Sequence, residues 1–201
     1  MFTIYISRIE NSAVFRPLSR YVEISFLLRF IVLMALIYYF NFGYMSLVDE
    51  RGLLYSAYLD QHLNYFGWLR SAILHTSNAL VHLYGFESYI PDIYSLRANG
   101  HGVHVGLECL GYGMMSFWLA FICAHETSWQ TKLFWGVAGI VMLWLLNCIR
   151  VALLLIAVVK DFNIDKQIDN HTAFNMAVYL LTLGMIAGYY YVRKRADKIS
   201  N

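Results

Sequence analysis

The chain has 201 residues, of which 59% are apolar, 17% aromatic and 14% charged, with a formal net charge of +2. Soluble domains carry about 25% charged residues, so this sequence lacks the polar surface to cover a globule in water, and its small, dispersed charge gives no footprint for nucleic acid. Long unbroken apolar runs argue against an outer-membrane barrel, 13 Gly and 2 Pro against a low-complexity chain, and 3 Cys near or within the apolar runs against a disulfide framework.

The composition leaves an all-α fold, a polytopic integral membrane helical bundle formed by residues 1–201 as one membrane domain. In chain order, Met1 to Tyr21 does not read as a cleavable signal peptide, because Arg16, Pro17 and Arg20 precede the first long apolar run. Four stretches suit a bilayer core of about 30 Å, which takes roughly 20 helical residues: 24–48, 106–124, 133–158 and 172–192. The stretch 52–86 is apolar but interrupted by Asp60, His62, Asn64, Arg70, His75, Asn78 and His82. It is expected to form one or two amphipathic helices lying in or dipping into the outer interface, with a single crossing and an external N-terminus as the alternative. Within 89–104, Asn99-Gly100-His101-Gly102 is a turn signal between extended pieces, which predicts an external hairpin just before the second span.

Basic residues set the orientation. Arg8, Arg16, Arg20 and Arg29 cluster near the start and Arg193, Lys194, Arg195 and Lys198 near the end, whereas Asp49 to His104 holds five acidic and three basic residues. Both termini are then cytoplasmic, His125–Lys132 is an inner turn, and 49–104 and 160–170 lie outside.

An ionisable group inside a span marks a functional site by default. Arg150 sits in the third span among Leu143, Leu145, Leu146, Val151, Leu153 and Leu154. Seventeen residues at about 1.5 Å each carry it roughly 26 Å from Leu133, near the outer boundary of the hydrocarbon. Asn147 lies on the same helical face. Cys109 follows Glu108 at the head of the second span, where a helix N-terminus favours the thiolate and a nearby guanidinium would favour it further. Gly111 and Gly113 beside it permit close approach of backbone or substrate. His171 opens the last span. The topology brings Cys109, Arg150 and His171 to one outer level of three spans. A thiol, an imidazole and a guanidinium at one level suffice for acyl transfer: Cys109 forms a thioester, His171 shuttles the proton and Arg150 stabilises the thiolate or oxyanion.

Glu108-Cys109-Leu110-Gly111, Asn147-Cys148-Ile149-Arg150 and His171, in this order, resemble the exosortase/archaeosortase family of membrane cysteine transpeptidases, over about residues 84–192. The resemblance implies a short member that cleaves C-terminal sorting signals of membrane-anchored, exported proteins at the outer face of a bacterial cytoplasmic (inner) membrane. It implies Cys109 as nucleophile with Arg150 and His171 as partners; Asn147 and Glu108 are supporting residues. No cofactor or metal is required, and the partners are the protein substrate and the lipid bilayer, not nucleic acid. Leu110 departs from the serine that many members carry after the cysteine, and the N-terminal part is shorter than in many members.

Two other readings compete. His101, His104 and Cys109 with Glu108 offer metal ligands, although an extended His-x-x-His places the two rings on opposite faces. A non-enzymatic transport or assembly protein would instead use Arg150 and Glu108 as a structural pair. A serine protease built on Ser116 is disfavoured, since no histidine falls at its depth.

Overall fold

From Ile24 to Val48 no acidic residue occurs and Arg29 is the single basic one, and in the computed structural model this run forms helix α1 (Ile24–Val48). The structure describes residues 24–50, 52–160 and 170–200, with the side chains of residues 108, 170–175 and 196–200 outside the description. After α1 come α2 (Ala57–Leu63), α3 (Tyr65–Leu83), strands β1 (Ser88–Asp92), β2 (Ser95–Ala98) and β3 (His101–His104), a 3₁₀ turn (Leu107–Leu110), and helices α4 (Tyr112–Ala124), α5 (Trp129–Val159) and α6 (Asn170–Ser200). Helix α5 starts earlier than its apolar run because Ser128 caps it, its Oγ accepting the Thr131 N–H at 3.3 Å.

By length and composition, α1 and α5 can each cross a membrane, and α4 is a shorter apolar helix. Helix α5 presents two different faces. Gly139, Leu143, Asn147, Arg150, Val151 and Leu155 are buried, while Leu133, Val137, Val141, Leu145, Ile149 and Leu153, spaced by four, are exposed on another face. Leu28, Ile31, Val32, Leu36 and Phe40 are likewise exposed on α1. An apolar stripe of this length facing outward is stable against hydrocarbon and costly against water.

The interior divides into two clusters. One contains Phe66, Ile73, Leu74, Val81, Leu96, Ala98, Cys109, Leu110, Cys148, Val151 and Leu155. The other contains Trp118, Phe121, Ile122, Leu143 and Tyr189, with Phe26 and Phe30 packed against it. Helix α1 thus runs from the second cluster to the first, α4 returns to the second, α5 runs to the first, and α6 brings Tyr189 to the second. Where α4 and α5 meet, the Trp118 indole lies on Gly139, where any side chain would collide with it, and donates to the Trp135 carbonyl at 2.9 Å.

Every apolar side chain that α3 buries joins the cluster containing Cys109, and none joins the other. Polar bonds fix α3 there. Tyr65 donates to Asn41 Oδ1 at 2.5 Å, Asn41 donates to Ser116 Oγ at 3.2 Å, and Ser77 Oγ donates to the Cys148 carbonyl at 3.0 Å. Ser77 is fully buried, so Ser77→Ala is expected to cost about 1 kcal/mol, a buried hydroxyl bond whose acceptor stays within its own helix. Detergent unfolding of the purified protein measures it, and an unchanged midpoint would show that the bond contributes nothing.

The predicted hairpin is β2–β3, and β1 adds a third strand in the order β1-β2-β3, all antiparallel. Asn99 (φ 50°) and Gly100 (φ 80°) form the two-residue turn with both central residues left-handed, the geometry that an Asn-Gly pair favours. Leu96 and Ala98 turn inward to the Cys109 cluster.

Candidate active site

Three local features place Cys109. The β2–β3 hairpin leads through Val105, whose N–H donates to the Tyr94 carbonyl at 2.7 Å, into Gly106 and the 3₁₀ turn. The Cys109 N–H donates back to the Gly106 carbonyl at 3.1 Å, closing the turn. Gly111 then adopts φ 70° and starts α4 in a new direction. Cys109 therefore does not lie in the first turn of one continuous helix over 106–124, as its sequence suggests; it sits on a separate turn, divided from α4 by a left-handed residue. The largely apolar run has the composition of a single helix, and the break comes at the left-handed backbone angle of Gly111.

The same glycine also meets a neighbouring helix. A Cβ on Gly111 would strike the side-chain amide of Asn147 on α5. Asn147 is 6% exposed and Arg150, one turn further along the same face, is 4% exposed. The Cys109 turn is thus seated on the stretch of α5 that carries Asn147, Cys148, Arg150 and Val151, and Cys109, 9% exposed, shares its apolar cluster with Cys148 and Val151. Gly111 is what allows the approach, and the signal in the sequence is the glycine next to a candidate nucleophile. The sequence points to Asn147 as an orienting residue but not to its contact at Gly111.

The remaining candidates fall as follows. His171 belongs to α6, and its side chain lies outside the described residues, as does that of Glu108, so neither the His171 role nor the Glu108–Arg150 pair has a geometry here. Cys148 is fully buried and Cys123 exposed, and all three cysteines are free thiols. Ser116, 2% exposed, spends its hydroxyl on the Tyr112 carbonyl at 2.7 Å and accepts from Asn41, a structural use. His101 pairs with Ala98 and His104 with Ser95, which puts the two rings on opposite sheet faces.

Above the turn, Tyr94 stacks on the His104 ring at 5.7 Å and carries the Arg70 guanidinium over its ring at 4.3 Å. Asp92 accepts the Tyr94 N–H at 2.7 Å, and this bond, ahead of those from Ser95, holds its carboxyl below the ordinary carboxylate range; burial opposes the shift and Arg97 adds to it weakly. Nothing in the spacing of Arg70, Tyr94 and His104 along the chain signals this stack.

The family model for transmembrane exosortases (Exosortase_EpsH) matches residues 12–188. The chain belongs to the transmembrane exosortase family. No curated protein and no solved structure matches it. As an exosortase it falls in a family of membrane cysteine peptidases and transpeptidases that act on protein sorting signals. The matched residues take in α1, the sheet, the Cys109 turn, the Asn147–Arg150 segment and most of α6.

Proposed function

We propose that this exosortase is a polytopic enzyme that cleaves C-terminal sorting signals of exported proteins at the outer face of the cytoplasmic membrane, with Cys109 as nucleophile and Arg150 and His171 as its partners. The observation that carries the reading is the seating of the Cys109 turn, through Gly111, on Asn147 and the buried Arg150 segment of α5.

In this mechanism the Cys109 sulfur attacks the scissile carbonyl and forms the C–S bond, and the Arg150 charge stabilises the oxyanion. The C–N bond breaks as His171 delivers to the leaving amine the proton taken from the thiol. Water or an amine then resolves the thioester and regenerates the thiol. Asn147 orients the turn. The chemistry balances without a metal or cofactor.

The alternating directions of α1, α4 and α5, together with the packing of α6 on the cluster around Trp118, support four crossings. The cluster around Trp118 and Phe121 lies at the inner end, because Arg29 pairs with Glu126 at 2.7 Å there and Arg193 donates to the Glu126 carbonyl at 3.2 Å. The Cys109 cluster then lies toward the outside, and the confinement of α3 to that cluster supports a pair of helices, α2 and α3, held within the outer half.

Comparative mass spectrometry of membrane fractions tests the function. A strain carrying Cys109→Ala is expected to accumulate exported proteins that keep their C-terminal hydrophobic segment, and the wild-type gene to restore their processing. Unchanged processing in the Cys109→Ala strain would sink the cysteine reading and favour the transport or assembly alternative.

A further inference from the structure

The sheet beside Cys109 has two edge strands, β1 next to α3 and β3 next to α5, and no described strand pairs with the outer side of either. In a two-residue hairpin the flanking pair is hydrogen-bonded and the next pair is not. Ala98↔His101 is the flanking pair here, so His101 and Val103 turn their backbone groups toward β2, and Gly102 and His104 turn theirs away. The Val105 N–H bond to Tyr94 continues the same alternation. Gly102 and His104 are both exposed, and β3 is the last strand of the sheet. Two residues in i, i+2 relation thus present N–H and C=O groups along an open edge, just ahead of the Cys109 turn.

On that sheet face β2 and β3 carry no carboxylate, and the acid there is Asp92 on β1, paired with Ser95. Ser95, Arg97, Gly102 and His104 share the outer face, where they line a shallow groove of about 280 Å³ with Gly100 and Val103 and no carboxylate among them. Arg97 crosses the strand at its glycine: a Cβ on Gly102 would lie 3.0 Å from Arg97 Cγ and 3.4 Å from its Nε. Gly102 is the position at which a side chain is missing, and the Arg97 stem lies over it. Asp92, which pairs with Ser95 across the sheet, already accepts the Tyr94 N–H.

We propose that the β3 edge binds the substrate polypeptide as an added fourth strand, with Gly102 and His104 supplying the backbone bonds and Arg97 reading a carboxylate side chain opposite Gly102. This rests on the reading of the chain as an enzyme acting on a peptide. Strand addition draws affinity from main-chain bonds and selectivity from alternate side chains. It also delivers the peptide in extended form along the strand that runs into the Cys109 turn, whose connecting residues from 105 to 109 reach at most about 17 Å. Peptide residues of one parity face Arg97, and those of the other face the inner side of the sheet, so a single acidic position suffices for recognition.

The test uses the full chain in detergent micelles as the Cys109→Ala protein, so that nothing turns over, and reads fluorescence anisotropy of labelled eight-residue Thr/Val peptides. Peptides with a central Glu, Gln or Lys are compared, and the Glu peptide is then N-methylated at one backbone position at a time. The Glu peptide is expected to bind about tenfold tighter than the Gln peptide, the Lys peptide more weakly still, and Arg97→Gln to erase the Glu preference. N-methylation should weaken binding at alternate positions only. Equal losses at both parities, equal binding of all three peptides, or no binding at about 1 mM peptide would overturn the proposal. A Cys109 that proves inert in the native chain leaves these contrasts intact and sinks the acyl-transfer reading instead; a reactive Cys109 with no parity contrast does the reverse.

Discussion

Arg150→Gln is expected to lower substrate processing by about 10²–10³-fold, the usual loss when one preorganised group facing a developing oxyanion is removed. Gln keeps a polar end on the side chain but not its charge, and at 4% exposure no solvent replaces that charge. Arg150→Lys keeps the charge and loses the planar fork, so an intermediate loss is expected, not full rescue. Processing is measured per folded molecule, because altering a buried cation also lowers stability. The non-enzymatic alternative ranks the variants differently: Glu108→Gln would then reproduce Arg150→Gln, the double variant would be no worse than either, and Cys109→Ala would be silent. A strongly impaired Arg150→Gln beside a tolerated Glu108→Gln and a dead Cys109→Ala is the pattern the enzyme reading requires.

Gly111→Ala carries the second large effect. The left-handed angle of 70° costs a residue with a Cβ about 1–2 kcal/mol, and the Cβ would also be driven into the Asn147 amide, an overpacking that costs typically about 1–3 kcal/mol. A loss of about 3 kcal/mol in unfolding free energy is therefore expected, together with loss of processing, because the Cys109 turn can no longer seat on α5. The two terms separate in a double-variant cycle. Asn147→Ala removes the collision and leaves the backbone term, so Gly111→Ala in that background is expected to cost about 1–2 kcal/mol. Additive effects would show that Gly111 and Asn147 do not touch in the folded protein.

The long elements are legible in the sequence because apolar runs such as Ile24–Val48 have few alternatives once the charge is this low. Arg150 is legible for the converse reason, an ion in such a run. The Asn99-Gly100 turn is legible because two left-handed residues in succession need those residue types. The limits are equally specific. The helix over Tyr65–Leu83 carries Arg70, His75, Ser77 and Asn78, and what makes it a packed helix is partners elsewhere: Cys148 for Ser77, Asn41 for Tyr65 and Tyr94 for Arg70. Strand β1 contains Pro91 and a register irregularity before Asp92, which hides it from any alternation. The glycine at 111 is visible, but the break there is not, because Leu110 and Tyr112 on either side suit a continuing helix and the contact with Asn147 is made across to another helix. The roles of His171 and Glu108 rest on the sequence, as their side chains lie outside the described residues.

The most direct test of the account is the alkylation rate of Cys109 by iodoacetamide near neutral pH in membranes, with Cys123 and Cys148 replaced by Ala so that one thiol reports. Cys109 is expected to react about tenfold or more faster than a simple thiol, despite a side chain only 9% exposed, and to slow by at least the same factor on Arg150→Gln. A Cys109 that reacts more slowly than a simple thiol, at a rate indifferent to Arg150, would contradict it.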